Sequence, residues 1–91
     1  MVSKEQFREE VLRIAAEMHA KPAQIRIRSM KSKKGSCTPK KIVTFDYSVL
    51  DLDELSRREV IVHELLHLRY RNHGRMFKLL MKEYLYRGDT P

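Results

Sequence analysis

The 91-residue chain has one cysteine, so it can form no disulfide of its own, and nothing in its thiol content argues against a reducing compartment. No apolar run approaches the ~20 residues needed to span a bilayer. Met1 to Glu5 lacks the apolar core of a secretory signal. The cytoplasm is therefore the expected location, with no membrane partner. Low-complexity stretches, internal repeats and linkers are also missing. The expectation is one domain over residues 1–91, with 87–91 as a C-terminal tail. At 42% hydrophobic and 34% charged, the composition is that of a globular domain rather than a disordered segment.

The formal charge is +7. Lys31, Lys33, Lys34, Lys40 and Lys41 cluster in one region, and Arg69, Arg71 and Arg75 in another. Such a balance suits anionic partners, nucleic acid included. No aromatic residues interleave with the lysines, as a stacking platform for single strands would need. A solvated basic loop is the favoured reading, with nucleic acid kept as an alternative partner.

Ser3 and Gln6 have the spacing of a capping box. Phe7, Val11, Leu12, Ile14, Ala15 and Met18 then recur at helical spacing to about His19, where Lys21-Pro22 ends the helix. Gln24 to Met30 alternates as a half-buried strand. Lys31 to Pro39 reads as a turn or short irregular strand, and Lys41 to Tyr47 as a second, β-branched and aromatic strand. Asp51 or Asp53 can cap a helix running to about Arg71. Asn72 looks like the cap of a last helix from His73 to about Tyr86, with Phe77, Leu80, Met81, Tyr84 and Leu85 on its apolar face. The predicted fold class is α+β: a small antiparallel sheet of about three strands packed with three helices.

The central helix carries His63-Glu64-Leu65-Leu66-His67, an H-E-x-x-H run, with His73 six residues further on. Residues four apart on a helix share a face, so His63 and His67 can reach one metal ion. Glu64 follows the first histidine directly and is placed to take a proton from a water at the open position. His73 is a candidate third ligand. Three protein ligands with one open position is a catalytic arrangement, whereas a structural zinc would be closed by four. Val60, Ile61, Val62, Leu65, Leu66 and Leu68 make the helix apolar, and there the polar trio needs a metal or hydrogen bonds.

Gly35-Ser36-Cys37 ahead of a strand, then Val60 to Leu68, then Asn72-His73-Gly74-x-x-Phe77, resemble YgjP-like and SprT-like zinc metallopeptidase domains. The likeness is strongest to their stand-alone relatives, the minigluzincins, and covers about residues 24–86. It implies a zinc-dependent endopeptidase with one catalytic Zn2+, His63, His67 and His73 as ligands, Glu64 as general base, and a peptide or protein as substrate. It also implies that Lys41 to Asp46 lines the cleft, so that Ile42, Val43 and Thr44 could pair with an extended substrate by main-chain hydrogen bonds. Minigluzincin-like proteins can be latent; Asp89 or the terminal carboxylate could occupy the open position, although a frayed end is the ordinary reading. SprT-like relatives keep a nucleic-acid-associated module in view, and a non-catalytic domain with structural zinc is the third reading.

The metzincin pattern H-E-x-x-H-x-x-G-x-x-H is rejected, because Tyr70 stands at its glycine position and no Met-turn follows. Tyr70 is expected to continue the helix. For an oxyanion donor Tyr70, Tyr84, Asn72 and Arg75 are candidates, and spacing selects none of them. Cys37 is expected to be a small buried thiol rather than an inhibitory ligand. His19 is expected at the surface, away from the metal. Arg87-Gly88-Asp89 matches an adhesion tripeptide by coincidence.

Overall fold

The computed structural model describes residues 1–86. Three helices and three strands follow in the order α1 (Lys4–Glu17), β1 (Gln24–Arg28), β2 (Gly35–Cys37), β3 (Ile42–Asp46), α2 (Glu54–Leu66) and α3 (Arg75–Tyr86), with a 3-10 turn over Tyr47–Asp51 between β3 and α2. The α+β class stands. No helix among the described residues is long and apolar enough to cross a membrane.

The capping box of α1 is formed. The Gln6 N–H donates to Ser3 Oγ at 3.1 Å, and the Ser3 N–H donates to Gln6 Oε1 at 2.8 Å. Phe7, Val11, Ile14, Ala15 and Met18 are buried, but Leu12 is 55% exposed and lies off the stripe. The helix stops before Lys21-Pro22. His19 takes a left-handed conformation (φ 54), and the Ala20 and His19 N–H groups bond back to the Ala15 and Ala16 carbonyls at 2.8 and 3.2 Å. That is a Schellman stop with histidine in the position glycine usually holds.

The sheet is mixed rather than antiparallel. Its order is β1-β3-β2, with β1 parallel and β2 antiparallel to β3. β3 takes the centre because Val43 and Phe45 are fully buried and Phe45 meets Phe7 edge-on at 5.0 Å. Gly-Ser-Cys has no large apolar side chain to fill that position, so β2 lies at an edge. Residues 29–34 cross the Asp46 end of β3: the Met30 N–H donates to Asp46 Oδ1 at 2.7 Å, and the Asp46 N–H to the Lys34 carbonyl at 2.8 Å.

α2 is capped by Asp53, whose Oδ2 accepts from the Ser56 N–H at 3.3 Å. Two arginines fix it against its neighbours. Arg57 Nε donates to the buried Glu10 of α1 at 2.6 Å. Arg58 reaches Glu17 of α1 at 3.0 Å and the Tyr84 carbonyl of α3 at 2.9 Å. The metal-motif helix is thereby held between α1 and α3, with Ile61, Val62, Leu65 and Leu66 in the core.

Candidate metal centre

α2 ends at Leu66, not Arg71. The N–H groups of His67, Leu68 and Arg69 each bond three residues back, at 3.2, 3.1 and 3.0 Å, which tightens the last turn into 3-10 geometry. Tyr70 lies beyond the helix, contrary to expectation. Its carbonyl, which a continuing helix would use internally, meets His67 Nδ1 at 2.9 Å. The chain then turns, and His73 precedes α3 instead of opening it. Gly74, rather than Asn72, holds the cap position, its carbonyl accepting from the Lys78 N–H at 3.1 Å.

This turn brings three imidazoles together. His73 Nε2 lies 3.1 Å from His63 Nε2 and 3.0 Å from His67 Nε2. The protonation follows from their partners. A carbonyl only accepts, so His67 Nδ1 carries the hydrogen toward Tyr70 and Nε2 keeps its lone pair. His63 Nδ1 lies 3.0 Å from Glu64 Oε2, and an ionised carboxylate fixes the same tautomer. Two lone pairs thus face His73 Nε2, and one proton there cannot serve both. A divalent cation can. Nitrogens bound tetrahedrally at about 2.0–2.1 Å lie roughly 3.3–3.4 Å apart, close to the spacing seen. The donor set therefore fits a metal, and His63, His67 and His73 form a group able to hold one.

Phe77 of α3 lies behind the cluster. Its ring centroid is 5.3, 4.8 and 4.8 Å from those of His63, His67 and His73, and it is buried. An apolar backing of this kind limits where the imidazoles can tilt.

Glu64 is only 5% exposed. Its side chain lies against β2, where a Cβ at Gly35 would sit 2.8 Å from Glu64 Cγ. Gly35 is the surface that admits the carboxylate. Cys37, on the same face of β2, is half-buried on the cleft wall rather than in the core. Burial first, and the Glu64 carboxylate second, push its thiol pKa up.

These groups open onto a cleft of about 710 Å³ bordered by residues 33–39, Glu59, Val60 and Arg71 besides the histidines and Glu64. Ile42, Val43 and Thr44 do not provide its edge. They lie on the central strand, paired on both sides, and Val43 is in the core. The sheet edge beside the cleft is that of β2. The Lys34 carbonyl accepts from the Asp46 N–H and the Thr38 N–H donates to the Ile42 carbonyl, so by antiparallel alternation the backbone groups of Gly35 and Cys37 point away from β3. Tyr70, Tyr84, Asn72 and Arg75 do not line the cleft; Arg71 does. His19 is held elsewhere, its carbonyl accepting from Arg69 at 3.3 Å. Asp89 lies outside the described residues.

Sequence reasoning grouped Arg71 with Arg69 and Arg75 without singling it out, and missed the steric role of Gly35 and the roles of Phe77 and the Tyr70 carbonyl. A glycine inside a strand pattern signals close approach, so Gly35 was open to detection. The Tyr70 carbonyl left no such mark.

Three imidazoles thus converge beside a buried glutamate at an open cleft, and the chain is a metallopeptidase domain. The chain belongs to the YgjP-like family: the model described as YgjP-like, metallopeptidase domain, matches residues 2–87. Among solved structures it is similar to the metallopeptidase zymogen of Pyrococcus abyssi abylysin, at 27% identity and a TM-score of 0.69, over 93% of this chain and 81% of that one. No curated protein sequence matches significantly.

Proposed function

We propose that this metallopeptidase is a zinc-dependent endopeptidase, that His63, His67 and His73 hold its single ion, and that Glu64 is its general base. The observation that carries this is the approach of three Nε2 atoms within about 3 Å beside a carboxylate with a free oxygen. An all-imidazole donor set suits zinc. When bound, the ion supplies Lewis-acid polarisation of the scissile carbonyl and lowers the pKa of water toward ~7.

The chain's own groups do the rest. Glu64 Oε2 is occupied by His63 Nδ1, which leaves Oε1 to accept the proton of the attacking water. The same oxygen then returns it to the leaving amine. Burial of Glu64 keeps bulk water from competing for that proton. An extended substrate adds to β2 as a new strand, through the outward backbone groups of Gly35 and Cys37. Residues 1–91 are read as one domain in which 87–91, with Asp89 as the candidate ligand, could keep the site latent; the similar solved structure is itself named a zymogen.

Cleavage of a peptide library by the zinc-loaded protein tests this reading, with chelation expected to stop it and zinc to restore it. Glu64→Gln is expected to bind zinc normally and lose at least 10²–10⁴-fold in turnover. Loss of zinc along with turnover would contradict its role as base. Failure of both the full chain and one truncated after Arg87 to cut any peptide would remove the peptidase.

A further inference from the structure

β2 has a cavity on each side. The cleft borders the face carrying Gly35 and Cys37, which register with the core residues Phe45 and Val43. Ser36 registers with Thr44 on the opposite, outer face. There a second, open depression of about 360 Å³ is lined by Arg28, Lys31, Lys33 and Thr44, and by Ser29, Ser32 and Ser36 together with Met30. No carboxylate lines it. Among the described residues, none of its three cations forms an ion pair. The nearby Asp46 is already occupied, one oxygen by the Met30 N–H at 2.7 Å and the other by the Ser48 N–H at 3.0 Å. Lys33 and Ser36 line both cavities, so the two lie on either side of the same short strand.

Three cations and four hydroxyls around a hollow form a ready set of donors for an anionic group. Strand addition brings such a group there, because side chains of an added strand alternate between the two faces. Every second residue of a substrate on β2 projects to the outer face. We propose that this depression is a substrate subsite for an acidic side chain, carboxylate or phosphoryl, and that the enzyme selects extended acidic peptides. This rests on the peptidase reading and on docking at β2.

The test scans one Asp, Glu or phosphoserine along an otherwise neutral peptide and reads kcat/KM for the zinc-loaded protein, or for the chain truncated after Arg87 if the full chain is latent. An acidic residue is expected to raise kcat/KM about five- to tenfold at one position and not at its immediate neighbours. Comparison of the Asp, Glu and phosphoserine peptides identifies the anion preferred. The double variant Lys31→Glu/Lys33→Glu is expected to reverse the preference toward lysine at that position, with circular dichroism checking its fold. Efficient cleavage with no charge preference overturns the subsite and leaves the peptidase intact. If no peptide is cut, tight binding of the acidic peptide to Glu64→Gln, lost in the double variant, still supports the subsite; its absence overturns it. Salt-sensitive binding of a single-stranded oligonucleotide that depends on Lys31 and Lys33, without any peptide preference, overturns it in favour of nucleic acid.

Discussion

Gly35→Ala puts the link between sheet and chemistry under direct test. The added methyl would lie 2.8 Å from Glu64 Cγ, 3.2 Å from its Cδ and 3.1 Å from the Thr44 carbonyl oxygen. Carbon atoms in good contact stand at about 3.5–4.0 Å, so Glu64 or β2 must give by about 0.7 Å or more. Glu64 has little room to retreat, being 5% exposed and held by His63 at 3.0 Å. The backbone conformation does not need glycine, since Gly35 does not have positive φ, and the effect is therefore steric. Overpacking of this kind costs about 1–3 kcal/mol. For a domain of this size that lowers Tm by about 4–8 °C per kcal/mol. A catalytic carboxylate displaced by about 1 Å loses on the order of 10²-fold in kcat. The assay is kcat on a peptide substrate, with zinc stoichiometry and a thermal melt on the same preparation. Gly74→Ala is the control, because its Cβ would meet nothing within 4 Å, and it should stay within about 1 kcal/mol of wild type. A Gly35→Ala protein with full zinc and kcat within about twofold of wild type would refute the reasoning.

Arg57→Ala should cost about 3–5 kcal/mol in denaturant unfolding, because it leaves Glu10 buried without its partner at 2.6 Å; replacing both residues by Met should recover most of that loss. Hydrogen bonds from Ser48 first, and from the Met30 N–H next, hold the Asp46 carboxyl down at about 2. Its contribution is fully present above the unfolded value near ~3.9 and is lost as pH falls through about 2, so the Tm gap between wild type and Asp46→Asn should close over that window. Truncation after Arg87 should raise peptidase activity if the tail imposes latency; unchanged activity removes that idea. Phe77→Ala should weaken zinc affinity and destabilise the fold by about 3–5 kcal/mol, measured by chelator competition and a melt, since its ring is 3% exposed and backs all three imidazoles.

What the sequence determined by itself is local. The capping box at Ser3 and the shared face of His63 and His67 depend on residues three or four apart, and the helix enforces those relations wherever it packs; that Asp53 rather than Asp51 caps α2 came from the structure. Tertiary structure decided the relations between distant segments. The sequence shows three strand-like stretches but not which is central; burial of Val43 and Phe45 against the helices put β3 in the middle and left β2 as the edge beside the cleft. The end of α2 was settled likewise, because the Tyr70 carbonyl bonds to the His67 ring instead of the next helical turn, and that exchange delivers His73 to the other two imidazoles. The fit of Gly35 against Glu64 joins positions 29 residues apart, and only the packing of β2 on α2 brings them into contact.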